Sequence, residues 1–310
     1  MPFRKSLLSF VEPTARFRTT PFWSVRPRLV SCLVFTTMLF SSALGHAMSD
    51  TLYIMKQSTS VGFTESQFTS FLRGTSFSRT NAHLQVQSNE VLDLVLYNLD
   101  TLNHTFTIDN VVEGNNVIPA LGSLSIQIPP LPDGTYRFYS DSPYGKYLGA
   151  SGVLQVGYFE HARYCWNTFD LDVQDSESIV LGENDQLSPD YLPTNFLING
   201  NVYPTSASDS LTAVSGALND TIIISMVNSG NMIQSFHFHG YHVTILNSNQ
   251  ENTQVGWSKD SLPIRKGEGI TLMLVAYQTG TYPVHAHNLV ATTTSGIYPG
   301  GMITLITISP

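Results

Sequence analysis

The amino-acid sequence predicts an all-β protein with two similar β-sandwich domains in tandem. Short apolar runs, many of them alternating, recur from residue 50 onward and are separated by Gly, Pro, Asn and Asp. Regular short strands with turns between them are typical of β-sandwiches, and about 110 residues for each half suit that architecture. No stretch of about twelve residues keeps a helical period, so we expect no helical domain.

Five apolar runs are predicted to be strands. They are Val91–Tyr97, Leu124–Ile128, Thr221–Val227, Thr271–Tyr277 and Met302–Ile308. Alternation of apolar and polar residues, together with β-branched and aromatic side chains, favours strands in such runs.

The two halves of the chain echo each other. A Gly-Thr-Tyr triplet begins at Gly134 and again at Gly280, and each triplet leads through Gly-rich turns into a final apolar strand. Counting from these glycines aligns Ser140 with Ala286. Two copies of one domain explain this similarity economically. We therefore expect a first domain at 48–158, a linker at 159–194 that includes an acidic stretch, and a second domain at 195–310.

The composition excludes several classes of protein. Of the 310 residues, 42% are hydrophobic and only 12% are charged, which rules out disordered, collagen-like and coiled-coil chains. The formal net charge is −8. Without residues 1–47, which hold six of the basic residues and one acidic residue, nine basic residues face 22 acidic ones. A surface that acidic repels phosphate backbones, so we expect no nucleic-acid partner.

Residues 1–47 are predicted to be a targeting segment. A basic, nearly acid-free stretch precedes an apolar run at 29–45 that ends in small residues. About 17 apolar residues are short for a membrane-spanning helix, so a cleaved export signal is favoured over an uncleaved anchor. Cleavage after Gly45 or Ala47 would export the protein to the periplasm or the extracellular space. Only an uncleaved segment would hold it to a membrane.

Cysteine chemistry is not expected. The sequence has two cysteines, and Cys32 lies inside the targeting segment. The mature chain therefore keeps only Cys165 and forms no intrachain disulfide. Cys165 has no neighbouring base that would activate its thiol, so we expect a buried apolar residue.

Two His-x-His pairs are the candidate metal ligands, His237 with His239 and His285 with His287. Residues i and i+2 of a strand face the same side, about 7 Å apart. Two such pairs on neighbouring strands would therefore form a cluster of four imidazoles. Imidazole is a good ligand for copper, zinc and iron, and copper binds most tightly among the divalent ions.

The remaining histidines carry weaker signals. His242 has the opposite strand parity to the first pair, so its side chain is expected to face away from it. His83, His104 and His161 are isolated in the sequence, and we interpret each as a structural or surface residue.

The motifs of the second half, in their order, resemble the last domain of a multicopper oxidase. They are Phe236–His242, Asp260–Pro263, Gly280–His287 and Gly301-Met302, and the similarity covers 195–310. The first half resembles a cupredoxin more loosely, through Asn103–Phe106 and Tyr136–Leu154. Together the halves are similar to two-domain multicopper oxidases and copper nitrite reductases. The resemblance implies two Greek-key cupredoxin-like β-sandwich domains, export, and copper as cofactor.

The sequence departs from that family at the blue (type 1) copper site. In the family a cysteine stands between the two histidines of the last motif, where this chain has Ala286. Gln234 takes the place of the first blue-copper histidine, and no histidine follows at 288–295. In the first domain Ser140 and Tyr144 take the places of the cysteine and of a histidine. Because both domains lack the thiolate, we expect no blue copper.

The oxygen-reducing trinuclear cluster of the family is also incomplete. That cluster needs eight histidines, four from each of two domains. Carried over by position, His237, His239, His285 and His287 match the four histidines of the last domain, whereas the first domain has no His-x-His. We therefore expect one or two copper ions on the four remaining histidines.

Three interpretations follow. The first is an exported copper-binding protein with a mono- or dinuclear, histidine-only copper site. The second is a copper-dependent oxidoreductase that acts on a small substrate, an electron donor or a partner protein, with oxygen or nitrite. The third is a structural or interaction module that uses the cupredoxin scaffold without metal. Two-domain relatives also imply a homotrimer, with the copper cluster at the seam between subunits.

Overall fold

Strands make up most of the regular structure in the computed structural model, which describes residues 47–310. The predicted export signal and Cys32 lie outside the described residues, apart from Ala47 itself. Within the described range, no helix is long and apolar enough to cross a membrane.

The first half contains ten strands, arranged mainly in two four-stranded sheets. They are β1 (Ala47–Val61), β2 (Thr64–Leu72), β3 (His83–Val86), β4 (Val91–Asn98), β5 (His104–Thr105), β6 (Thr107–Ile108), β7 (Val117–Ile118), β8 (Ser123–Ile128), β9 (Gly134–Tyr139) and β10 (Ser151–Val156). The strand orders are β2-β1-β4-β8 and β3-β10-β9-β6, and β5 pairs with β7. A core that includes Phe71, Phe106 and Phe138 is buried in this half.

The second half contains a six-stranded and a five-stranded sheet. Its strands are β11 (Ala162–Leu171), β12 (Asn195–Ile198), β13 (Val214–Ala217), β14 (Thr221–Asn228), β15 (Gln234–Phe238), β16 (Val243–Ser248), β17 (Ser258–Lys259), β18 (Ser261–Ile264), β19 (Gly269–Val275), β20 (Gly280–Ala286) and β21 (Ile303–Ser309). The strand orders are β12-β11-β14-β19-β16-β17 and β13-β21-β20-β15-β18. Trp166 is fully buried in the core of this half.

The five predicted strands are all present. Four of them lie within a residue of β4, β8, β14 and β21, and the run predicted at 271–277 corresponds to β19, which begins and ends two residues earlier. Buried and partly exposed residues alternate along β4, as its sequence pattern predicts. The all-β tandem fold predicted from the sequence is confirmed.

Two short helices were not predicted. They are α1 (Pro143–Lys146) and α2 (Val173–Val180), both too short to show a helical period in the sequence. The side chain of Asp172 caps α2 by accepting a hydrogen bond from the backbone N–H of Gln174 at 2.9 Å. Asp172 is thus the local signal that would have predicted α2.

The predicted linker at 159–194 contributes a strand to the second half. Within it, β11 pairs with β14 in parallel and with β12 in an antiparallel arrangement. The remaining residues of this segment form α2 and its flanking turns. The domain limits at 158 and 195 remain predictions. β11 belongs to the six-stranded sheet of the second half.

The two halves pack directly against each other. Val153 of β10 is buried together with Cys165 of β11 and Val227 of β14. The hydroxyl oxygens of Thr135 and Thr271 lie 2.8 Å apart, so a buried hydrogen bond also joins β9 to β19. Burial of apolar and paired polar groups across this contact couples the halves.

Candidate metal centre

The four predicted metal ligands lie together on neighbouring strands. β15 and β20 pair in an antiparallel arrangement that places His237 directly opposite His285. His287 follows β20, and its backbone N–H donates to the carbonyl of Ser235 at 2.6 Å. The ring of His237 lies 4.5 Å from that of His239, 5.8 Å from that of His285 and 6.0 Å from that of His287, centroid to centroid.

The histidines occupy the outer face of this strand pair, and apolar side chains occupy the inner face. Phe236, Phe238 and Ala286 alternate with the histidines and are fully buried. The ring of Trp166 stacks on that of Phe238, with centroids 6.1 Å apart. The two-residue period of a strand therefore separates the imidazole cluster from the core.

Hydrogen bonds orient two of the rings. Nδ1 of His285 lies 2.9 Å from the carbonyl oxygen of Ala286. A carbonyl only accepts, so Nδ1 carries the proton and Nε2 keeps a free lone pair. Nδ1 of His237 lies 2.8 Å from the hydroxyl of Ser261 on β18, and the carboxylate of Asp260 is 4.0 Å away. Such contacts fix the orientation of a metal-binding ring.

The closest approach between ring nitrogens is that of His239 and His285, whose Nε2 atoms lie 3.0 Å apart. Because Nε2 of His285 accepts in the metal-free protein, Nε2 of His239 donates this hydrogen bond. Burial lowers the pKa of His239, and the neighbouring charges of His237 and His285 lower it further. A lowered pKa favours the neutral imidazole that a metal ion requires.

The donor set fits a copper ion in part once the proton of His239 moves to Nδ1 and leaves Nε2 free. Two nitrogens 3.0 Å apart can both lie about 2.0 Å from one ion, the usual metal–imidazole distance. Within residues 47–310, no three His, Cys, Asp or Glu side chains converge as a finished metal site does. His239 and His287 are exposed, so their side chains have room to rotate toward an ion bound at this pair.

A small cavity of about 260 Å³ borders the rings of His239 and His285. It is lined by His239, Pro283, His285, Leu289, Thr292, Tyr298 and Ile303. None of these side chains other than the imidazoles carries a charge, so the cavity suits an uncharged, partly apolar molecule.

Comparison with known proteins finds one family model and several solved structures that are similar to this chain. Residues 169–299 match the multicopper oxidase family model. A blue copper oxidase from Nitrosomonas europaea has the same fold, with a TM-score of 0.70 at 16% identity over 84% of this chain and 86% of that one. The comparisons show that this part of the chain resembles multicopper oxidases and that the chain shares their fold.

Further solved structures share the fold. The multicopper oxidase mgLAC aligns with a TM-score of 0.70 at 16% identity, over 85% of this chain and 86% of that one. A copper nitrite reductase from Nitrosomonas europaea aligns with a TM-score of 0.65 at 15% identity, over 85% and 94%. No curated protein sequence matches the chain.

The positions of the family's blue copper in the second half are buried and occupied by other side chains. Ala286 is fully buried opposite Phe236. The amide of Gln234 donates to the carboxylate of Asp170 at 3.4 Å and is also fully buried. Burial raises the pKa of the Cys165 thiol to about 12, so the only cysteine of the described chain is a thiol at neutral pH.

The corresponding position in the first half holds a buried hydrogen-bonded network. His104 is fully buried, with Nε2 3.0 Å from a carboxylate oxygen of Asp100. Its Nδ1 lies 3.2 Å from the hydroxyl of Ser142 and 3.4 Å from that of Ser140. Both ring nitrogens of His104 have hydrogen-bond partners within the protein, which agrees with its interpretation from the sequence as a structural or surface residue. The sequence did not reveal its partners.

The other isolated histidines lie away from the cluster. His242 is exposed on the turn after β15. His161 is partly exposed, with Nε2 3.4 Å from the carboxylate of Glu160. His83 lines a different cavity, between the two halves.

Proposed function

We propose that this protein is an exported copper-binding protein whose copper is held by His237, His239, His285 and His287, without a blue copper site. One observation carries the proposal: β15 and β20 bring two His-x-His pairs into a single surface cluster. Imidazole nitrogens favour copper over the other divalent first-row ions. Bound copper would supply one-electron redox chemistry at this surface.

The chain's own residues prepare the cluster for a metal ion. The carbonyl of Ala286 holds the proton of His285 on Nδ1 and so presents Nε2 outward. Ser261 holds His237 through its Nδ1. Since exposed rings on the outer face have few other contacts, the site can adjust to an ion without disturbing the core.

Copper content and electron paramagnetic resonance spectra test this proposal. Purified protein is loaded with Cu(II), desalted and compared with the His285→Ala/His287→Ala variant and with His242→Ala as matched control. We expect one or two tightly bound coppers in the wild type and in the control, no intense blue absorption, and loss of copper in the double variant. Equal, substoichiometric copper in all three proteins would overturn the proposal and favour a metal-free interaction module.

A second candidate function, a copper-dependent oxidoreductase, is favoured by the cavity beside the rings of His239 and His285. The cavity touches His239 and His285, is lined by apolar groups and has room for a single aromatic ring. Its uncharged walls favour a neutral substrate such as a phenol over nitrite. Electrons from that substrate would reduce oxygen at the copper site.

Oxygen uptake with hydroquinone as electron donor distinguishes the two functions. We expect uptake well above that of free Cu(II) if the protein is an oxidase, and its loss in His285→Ala. Full copper loading with uptake no faster than that of free Cu(II) would leave copper binding without turnover.

Export and trimer formation are separate parts of this proposal. Four apolar side chains beside the cluster, Leu289, Val290, Ile297 and Tyr298, are each more than half exposed, as at a surface that meets another subunit. Light scattering on the loaded protein is expected to give three times the chain mass, and a monomer would contradict this.

Sequencing of secreted protein should find His46 or Met48 at the new terminus.

A further inference from the structure

A second cavity, of about 550 Å³, lies between the two halves and shares no lining residue with the one beside the histidines. The first half contributes side chains from residues 72–85, and the second half contributes Arg163, Tyr164 and Cys165 of β11 together with Ser210 and Leu211. A volume of this size is typical of sites for small organic molecules.

Arg163 brings an uncompensated positive charge to this cavity. Its guanidinium lies over the ring of Phe159, 3.9 Å from the centroid. Within residues 47–310, no carboxylate lies within 4.0 Å of it, and its Nη1 is buried without a hydrogen-bond partner. Arg163 is half-buried, and a buried polar atom such as its Nη1 is usually paired in a native protein, so this nitrogen lacks the partner that its position calls for.

The neighbouring arginine, in contrast, is fully engaged. Arg73 forms two hydrogen bonds with the carboxylate of Asp50, at 2.6 and 2.8 Å, and donates to the carbonyl of His83. Its charge is neutralised by the protein itself. Arg163 is therefore the cation in this cavity that remains for a ligand.

His83 adds a second set of unpaired polar atoms. Both of its ring nitrogens are buried and have no hydrogen-bond partner within the described chain. Burial and, to a smaller extent, the charge of Arg73 lower the pKa of His83 to about 4, against an opposing effect of Asp209. The ring is thus neutral at pH 7 and has one donor and one acceptor to offer. Buried polar groups without partners are rare and often indicate an absent water or ligand.

We propose that this cavity binds a small organic carboxylate. The carboxylate pairs with the guanidinium of Arg163, whose planar donor pair matches carboxylate geometry. The carbon skeleton contacts Leu72, Ala82 and Leu211 of the lining, and a small rotation of the His83 ring brings its nitrogens to polar atoms of the ligand. Among the described residues that line the cavity, Arg163 is the one free cation, and Asp209 lies near His83; both features favour a monoanion over phosphate.

Calorimetric titration with benzoate tests the inference, with benzyl alcohol as the neutral analogue and inorganic phosphate as the simple anion. Copper-free protein in the His285→Ala/His287→Ala background is used, so that no metal can bind the probe and the outcome is independent of the copper proposal. We expect saturable 1:1 binding of benzoate, at least tenfold tighter than that of either comparison compound.

Variants locate the binding. Arg163→Gln is expected to weaken benzoate binding at least tenfold, whereas Arg265→Gln, an exposed arginine elsewhere in the second half, leaves it unchanged. Ser210→Phe is expected to block the cavity while keeping Arg163, which covers the case that Arg163→Gln does not fold. Absence of benzoate binding, equal binding of benzyl alcohol or phosphate, or full binding to both cavity variants would each overturn the proposal.

Discussion

At the scale of single residues, the buried pair of His104 and Asp100 shows how the first half satisfies the polar groups of a buried histidine. A fully buried imidazole lies against a carboxylate that also has Lys56 at 3.8 Å. Hydroxyls of Ser140 and Ser142 complete the network on the other side of the ring. Polar groups this deeply buried are tolerated only because each has a partner.

Removal of His104 should therefore destabilise the protein without affecting copper. In His104→Ala the carboxylate of Asp100 stays buried and loses its hydrogen bond with the imidazole, which is expected to lower the free energy of unfolding by about 3 kcal/mol. Urea unfolding measures the loss, and His161→Ala serves as a surface control with a change below about 0.5 kcal/mol. Loss of copper from His104→Ala would show instead that this residue is a ligand.

The same pair makes stability depend on pH in the acid range. Burial alone would raise the pKa of Asp100, but the hydrogen bond from His104, the charges of Lys56 and His104 and a backbone N–H together hold it below its usual 3.8. The stabilisation from a depressed carboxyl pKa is complete above 3.8 and is lost as the pH falls through the lower folded-state value. The stability difference between wild type and Asp100→Asn should thus be larger at pH 7 than at pH 2. A pH-independent difference in urea midpoints would contradict this.

At the scale of elements, the turn after β15 fixes where that strand's second histidine points. Gly240 has φ +73°, and a Cβ there would lie 2.4 Å from a ring carbon of Tyr282. Gly256 also has a positive φ, +88°, but a Cβ would meet nothing within 4 Å. An alanine at Gly256 would therefore meet backbone strain alone, whereas an alanine at Gly240 would meet both backbone strain and a steric clash.

Alanine substitution at both positions tests this difference. Gly256→Ala is expected to cost about 1 kcal/mol, the price of a left-handed alanine. Gly240→Ala adds the clash with Tyr282 and should cost at least about 2 kcal/mol, with weaker copper binding because His239 is displaced. Thermal unfolding and copper titration measure the two effects, and equal losses for both variants would argue against the clash.

β18 contacts the imidazole cluster through the hydroxyl of Ser261. Ser261→Ala removes the hydrogen bond to Nδ1 of His237 and is expected to weaken copper binding about 10- to 100-fold. The number of coppers bound at saturation should not change, because all four imidazoles remain. Ser258→Ala on β17 is the control, and competition with a chelator of known affinity gives the ratio. Identical affinities would show that Ser261 does not orient the ring.

The strands and the ligands were predictable from the sequence to different extents. Alternation identifies β4, and the His-x-His spacing places His237 and His239 on one face of a strand without knowledge of its neighbours. The partnership of β15 with β20 does not follow from spacing, because it depends on pairing between distant segments. For the same reason the contact of Ser142 with His104, and the place of β11 in the second sheet, needed the structure.

At the scale of the whole molecule, the contact between the halves predicts cooperative unfolding. Trp166 and Trp257 both lie in the second half, and the third tryptophan lies within residues 1–47. In protein that lacks residues 1–47, tryptophan fluorescence thus reports the second half alone, whereas far-UV circular dichroism reports both. We expect the two transitions in urea to coincide, since buried groups of both halves share one contact.

A substitution in the first half provides the stricter test of that coupling. Leu84 is fully buried in the first-half core, and Leu84→Ala is expected to cost about 2–5 kcal/mol. The midpoint of the fluorescence transition should shift by as much as that of circular dichroism. An unchanged fluorescence midpoint would mean that the halves unfold independently.

The alternation along β15 has a consequence for how such a protein can evolve. Phe236 and Phe238 point into the core, while His237 and His239 point outward and contribute little to packing. A lineage can therefore lose these imidazoles one by one and keep a stable sandwich, or regain them by single substitutions on an exposed strand face. The candidate ligands and the core residues lie on opposite faces of one strand. Selection can therefore change the histidines without disturbing the packing of the core.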